Sequence, residues 1–297
     1  MEPEHMVPGK KSVGVQRLWE DNLPAGSVGL AWLGQAGFAM RHEGCRLLID
    51  PYLSDFLAEK YRGTEFSHVR LMPAPVEPGQ IRNLDWVFCT HRHSDHMDPG
   101  SLPLLARNNP ACRFVVPRAE REAALKAGVP PEQMVAVNAG DSLSLSENVA
   151  VNAVAAAHET LKVNERGEHH FLGFIFETPH WVLYHSGDCV PYHGLAEELR
   201  HCQIDLAMLP VNGRDPYRSS RGIVGNFTFA EARKLCSDAH IPFLVPHHFG
   251  MFAFNTPSPA ELKEEAGRAD FEGCCLLPAL ESYYLLENGP SRQVLHR

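Results

Sequence analysis

The segment Thr90-His91-Arg92-His93-Ser94-Asp95-His96 sets three imidazoles and a carboxylate side by side. It follows the apolar run Trp86-Val87-Phe88-Cys89, which reads as a buried strand, so these groups gather in the loop where a strand ends. In extended chain His91 and His93 point the same way, because successive side chains alternate. Asp95 and His96 come after a bend and face back from the other side. That arrangement suits two metal ions side by side, one for each half of the motif. Further ligand-type residues also stand at strand ends. Asp50 closes the apolar run Leu47-Leu48-Ile49, where a carboxylate can accept the ring N–H of a ligating histidine. His158 follows residues 149–157, Asp188 follows residues 181–187, and His248, with His247 beside it, follows Phe243-Leu244-Val245-Pro246.

The elements that must carry these positions are legible in the chain's punctuation. Residues 28–33, 38–41 and 46–50 are short apolar or alternating runs broken by Gly34, Gly37 and Gly44, which suggests a meander. Residues 85–90, 113–116, 134–137, 148–157, 171–177, 181–185, 205–211, 242–246 and 276–286 read as further strands. Helices are expected over 100–107, 118–127 and 195–201. Thr228-Phe-Ala-Glu231 and Ser258-Pro-Ala-Glu261 are capping boxes that open two more, the first running to Ala239. Strands with flanking helices, followed by the same again, fit two sheets packed face to face with helices outside, a four-layer αββα sandwich in the α/β (α+β) class. No linker divides it. The expectation is an N-terminal extension over 1–24, with a loose polar tail at 1–12, and a single domain over 25–297.

Of 297 residues, 44% are hydrophobic and 21% charged, an ordinary globular composition. The net charge of −9 argues against a broad nucleic-acid surface, which needs a basic stripe. No apolar run is long enough to span a bilayer, and the N-terminus lacks the apolar core of a signal peptide. Eight scattered cysteines with no Cys-x-x-Cys pair read as free thiols in a reducing cytoplasm. Seventeen histidines exceed what packing requires and favour metal chemistry.

The His91-x-His93-x-Asp95-His96 motif resembles that of the metallo-β-lactamase superfamily of metal-dependent hydrolases, over about residues 28–286. Within it the chain is most similar to the L-ascorbate-6-phosphate lactonase group, on Leu48-Ile49-Asp50-Pro51, Tyr184-His185-Ser186-Gly187-Asp188 and Val245-Pro246-His247-His248-Phe249. The resemblance implies that His91, His93 and His158 hold one metal, that Asp95, His96 and His248 hold a second, and that Asp188 bridges them. It places His248 rather than His247 in the ligand set, and it implies a homo-oligomer. Asp95, Asp188 and His248 are then catalytic, while Asp50, His185 and His247 support the ligands. Arg92 departs from the lactonase group, which carries an acidic residue there, and His158 brings the chain nearer the general dinuclear pattern.

All expected ligands are N and O donors, which suit zinc or manganese, with iron a further option. Two ions about 3.5–4 Å apart can share a hydroxide and lower its pKa toward about 7, giving a nucleophile without Ser or Cys. Beyond the metals, the loop 211–222 carries Asn212, Arg214, Tyr217, Arg218 and Arg221. Guanidinium forks there can grip a phosphate or carboxylate. Tyr192 and His193 are candidate acid or orienting groups. The expected function is hydrolysis of a small anionic ester such as a phosphorylated sugar lactone. The alternatives are a phosphodiesterase or nuclease on the same site, a di-iron redox protein, or a non-catalytic binding member. The di-iron relatives carry Glu where this chain has His93, which favours hydrolysis.

Overall fold

The computed structural model describes residues 6–8, 14–269, 271–287 and 289. Its strands are β1 (Met6–Pro8), β2 (Val28–Gly34), β3 (Gly37–His42), β4 (Cys45–Ile49), β5 (Trp86–Phe88), β6 (Arg113–Pro117), β7 (Met134–Val137), β8 (Ser142–Ser146) and β9 (Val149–Ala155). There follow β10 (Ala157–His158), β11 (Thr160–Leu161), β12 (Leu172–Glu177), β13 (Val182–His185), β14 (Leu206–Pro210), β15 (Phe243–His247), β16 (Cys274–Cys275) and β17 (Tyr283–Leu286). One sheet has the order β1-β17-β2-β3-β4-β5-β6-β7 and the other β16-β15-β14-β13-β12-β9-β8.

Strand alternation explains the layering. From the first sheet Leu30, Trp32, Phe38, Met40, Leu47, Ile49 and Phe88 join the core shared with the second sheet. Their neighbours Ala31, Leu33, Ala39, Leu48 and Val87 pack on the opposite face with Leu102, Leu105 and Ala124 of the outer helices. The two faces are sorted by the period-two geometry of a strand, and both are buried, so these segments read as nearly continuous apolar runs. Between the sheets Phe88 meets Phe174 and Phe176 edge-on, each at 5.0 Å between ring centres. Helices Leu195–His201 and Phe229–Ala239 cover the second sheet through Leu199, Ala232 and Cys236. This is the expected αββα sandwich.

Both capping boxes form as expected, with Thr228 accepting from the Glu231 N–H and Ser258 from the Glu261 N–H. Three expectations change. The tail is not loose at Met6–Pro8, which pairs antiparallel with β17. Helix Gly14–Glu20 buries Val15 and Leu18 against the first sheet's outer face, so this part of the expected extension is built into the sandwich. Residues 276–286 are not one strand: β16 ends before them, and the strand within them is Tyr283–Leu286, running antiparallel to β2. Among the described residues no helix is long and apolar enough to cross a membrane.

Candidate metal centre

The site lies where strands of both sheets end. From the first sheet, β4 delivers Asp50 and β5 delivers the His91–His96 loop; the two strands are parallel, so both loops leave the same edge. From the second, the parallel strands β13, β14 and β15 deliver Asp188, Asn212 and His248. A tight turn, with the amides of His96 and Met97 both donating to the His93 carbonyl at 3.0 and 2.8 Å, folds the motif back on itself. Asp98 pins its far end, accepting from Ser101 Oγ at 2.5 Å, Ser54 Oγ at 2.8 Å and the Gly100 amide at 2.9 Å. Gly187 sits at φ +61° with room for no side chain, since a Cβ would lie 2.7 Å from that of Thr90. The Val190 amide donates to the Ala157 carbonyl at 2.8 Å, which ties the Asp188 segment to His158.

All seven expected ligands come together. One ligand atom each of His91, His93, His158 and Asp188 lies within 4.8 Å of the others, and Asp95, His96 and His248 form a second group by the same measure. Asp188 joins the two. Its Oδ1 is 3.3 Å from Nε2 of both His96 and His248, and its Oδ2 is 3.7 Å from His158 Nε2. Phe171 forms an apolar wall against His91, His93 and His158 at 5.2, 6.1 and 5.2 Å between ring centres. His91 Nε2, His96 Nε2 and Asp188 Oδ1 are buried with no hydrogen-bond partner among the described residues. Buried polar atoms are normally paired, and two ring nitrogens converging with a carboxylate oxygen are the donor set of a divalent cation. The residues present therefore fit the metal ions that the motif implies.

The charges of the site act on one another. Burial alone pulls the pKa of His96 down, but the carboxylates of Asp188, Asp50 and Asp95 outweigh it and hold the ring well above its ordinary value. His248 is likewise opposed by burial yet raised to about 9 by Asp188 and Asp95. Burial depresses His158 to about 4, Asp188 opposing. His91 is held well below its usual range by burial and by the neighbouring His96 and His93. Burial would raise the Asp188 carboxyl, but His248 and His96 hold it well below the usual range.

Of the residues expected to support the ligands, Asp50 lies against His96. Its Oδ2 accepts from His96 Nδ1 at 2.7 Å and from Thr90 Oγ1 at 2.7 Å, and its Oδ1 accepts the Thr90 amide at 2.8 Å. This leaves His96 Nε2 facing the site. His185 supports the site one step further back: Nε2 lies 2.9 Å from the Ala36 carbonyl, and Nδ1 accepts the Gly187 amide at 3.0 Å, shaping the turn into Asp188. His247 does not hydrogen-bond a ligand. Alternation turns it into the core, where it stacks on His185 at 4.8 Å with both ring nitrogens unpaired among the described residues.

The expected substrate residues change most. Their guanidinium groups do not stand free, because each is met by a carboxylate. Arg214 forms a two-pronged pair with Glu231 at 2.6 Å on each prong. Arg218 is held by Asp215, the Asn255 side chain and the Asn212 carbonyl. Arg221 lies 3.3 Å from Glu65 and over the ring of Tyr217, whose hydroxyl is itself 2.6 Å from Glu65. Tyr192 donates to the Ala155 carbonyl at 2.8 Å, a structural contact, and His193 is exposed. Asn212 lies buried between Asn255 and Asn226. Cys189 packs, its thiol directed at the Val190 carbonyl 3.4 Å away.

Sequence reasoning missed Asp98 and Gln35. The side-chain amide of Gln35 lies 2.9 Å from Asp95 Oδ2 and 3.1 Å from His248 Nε2. A lone amide carries no ligand signature; the available signal was its place between two glycines in the turn joining β2 and β3.

Known proteins similar to this chain include metal-dependent hydrolases. The model of the beta-lactamase superfamily domain matches residues 45–249. A metal-dependent hydrolase from Caldivirga maquilingensis is 26% identical over 236 residues, covering 79% of this chain and 87% of that protein. A probable L-ascorbate-6-phosphate lactonase, UlaG, from Escherichia coli O127:H6 is 23% identical over 280 residues, covering 84% and 77%. Among solved structures, an isothiocyanate hydrolase from Delia radicum gut bacteria superposes with a TM-score of 0.67 at 18% identity, covering 88% of this chain and all 100% of that one.

Proposed function

The chain belongs to the beta-lactamase superfamily domain family, and from that premise we propose that it is a hydrolase whose two divalent ions, zinc or manganese, act on a small ester, with a phosphorylated sugar lactone as the favoured class. The observation that carries this reading is Asp188, one carboxylate within 3.3 Å of His96 and His248 and 3.7 Å of His158. A carboxylate between the two clusters could serve both at once. When bound, two such ions supply a nucleophile from water at neutral pH and polarise the carbonyl under attack. Of the chain's own residues, His91, His93 and His158 would hold one ion and Asp95, His96 and His248 the other. Asp50 fixes the ring of His96, and Phe171 walls the first cluster with apolar surface.

A cleft of about 630 Å³ opens on the loops that follow β14 and β15, the strands preceding Asn212 and His248. Arg218 lines it with Asn212, Tyr217 and Phe254, but so do Glu65, Asp215 and Glu261. An anionic substrate would therefore exchange for Asp215 on Arg218 rather than meet a bare cation. Such an anchor holds the reacting carbonyl in place and makes the attack effectively intramolecular. The lactonase relative supports this substrate class.

The test is a panel of phosphorylated and unphosphorylated lactones, thioesters and phosphodiesters on metal-replete protein. Lactone turnover is expected, with its loss in folded Asp188→Ala and His93→Ala. Arg218→Ala is expected to lower kcat/KM for the phosphorylated lactone about tenfold or more relative to the neutral one. Retained turnover in both ligand variants contradicts the hydrolytic centre. An unchanged substrate ratio contradicts the anionic substrate alone.

A further inference from the structure

We propose that Gln35 is a positioning residue for the second metal ion, setting how tightly Asp95 and His248 hold it. The inference rests on the two-ion reading above. Gln35 occupies the turn between β2 and β3, only 1% exposed. Its backbone sits at φ +51°, a left-handed conformation uncommon outside glycine. Glycine or asparagine would suit that turn at lower cost, so the long side chain has a reason to be there. The backbone is wired to the site: the Gln35 carbonyl accepts the His248 amide at 2.9 Å and the Trp32 indole N–H at 3.0 Å.

The side chain completes the connection. Its amide nitrogen spans Asp95 Oδ2 at 2.9 Å and His248 Nε2 at 3.1 Å, two atoms that are 3.6 Å from each other. The N–H donated to Asp95 Oδ2 fixes the orientation of that carboxylate. The single lone pair of a ligating Nε2 cannot serve Gln35 and an ion together, so Gln35 positions His248 through its backbone carbonyl, which accepts the His248 amide at 2.9 Å. Gln35 thus preorganises two of the three ligands of the second cluster, and among the described residues its side chain hydrogen-bonds none of the three histidines of the first. A glutamate at this position would lose the donor and set a like charge against Asp95. Methionine would keep the length and lose only the hydrogen bonds.

Chelator-stripped parent, Gln35→Ala and Gln35→Met are titrated with zinc alone against a competing chromophoric chelator, resolving the two binding steps, with far-UV circular dichroism as the control for folding. The parent is expected to show two steps. In both variants the tighter step is expected to stay unchanged while the second weakens by about 10–100-fold, the usual effect of losing a group that orients a ligand. Gln35→Met carries the test if the alanine variant does not fold. Two parent steps that persist unaltered in folded Gln35→Met overturn the role of Gln35. Equal weakening of both steps overturns it as well, because the effect is then not specific to the second ion. A parent with a single step overturns the two-ion reading itself.

Discussion

The ring of His96 is held on both sides by carboxylates, Asp50 at 2.7 Å on Nδ1 and Asp188 at 3.3 Å on Nε2. One orients the ring and the other shares its task, so the contribution of Asp50 can be separated from ligation. Asp50→Asn keeps the shape but offers a weaker acceptor to the ring N–H. Divalent metal affinity is expected to fall by about 10–100-fold with the circular dichroism spectrum unchanged; equal affinity in variant and parent would sink the orienting role. At this scale the sequence was most legible where chemistry demands a charged or imidazole group. His91, His93, Asp95, His96, His158, Asp188 and His248 all announce themselves by type and by their place after apolar runs. Gln35 and Asp98 were hidden because their work is done through hydrogen bonds, which leave no pattern in spacing. Arg214, Arg218 and Arg221 were legible as a group of guanidiniums, but two of their partners, Glu231 and Glu65, lie far off in the chain and meet them only in the fold.

Strand ends explain why such different histidines coexist. His248 leaves β15 at φ +61° and turns toward Asp95 and Asp188, whereas His247 remains within the strand and points into the core. Their ionisation diverges accordingly. His248 is raised to about 9, so its contribution is fully present below the unfolded value near 6.5 and is lost as pH rises through about 9. His158 is depressed to about 4, so above about 6.5 it is neutral in both states and costs nothing; as pH falls toward 4 the unfolded chain gains the proton and the fold loses stability. His91, His185 and His247, all depressed by burial, act in the same direction. Chelator-stripped protein is therefore expected to melt highest near neutrality and lower on both sides. A pH series of thermal melts checks this, and a melting temperature that rises steadily to pH 10 would contradict it. Element boundaries were readable where caps mark them, as at Thr228 and Ser258. They were not readable at 276–286, where an apolar run holds a turn before β17.

The whole molecule is a device for bringing two sheet edges together. Period-two burial in β2 to β5 sorts residues between the shared core and the outer helices, and the loops left over at the strand ends carry the ligands. The αββα order was visible because both sheets announce themselves as apolar runs separated by helical segments. The pairing of Met6–Pro8 with β17 was not, since it joins the two ends of the chain and no local pattern reports a contact so distant in sequence. The central claim is that this convergence builds a centre for two ions shared by Asp188. Elemental analysis and anomalous scattering on fully loaded protein count and place them directly. Two ions per chain are expected, one among His91, His93 and His158, the other among Asp95, His96 and His248, with Asp188 between. A single ion at full occupancy, with Asp95 or His248 turned away from it, would contradict the account.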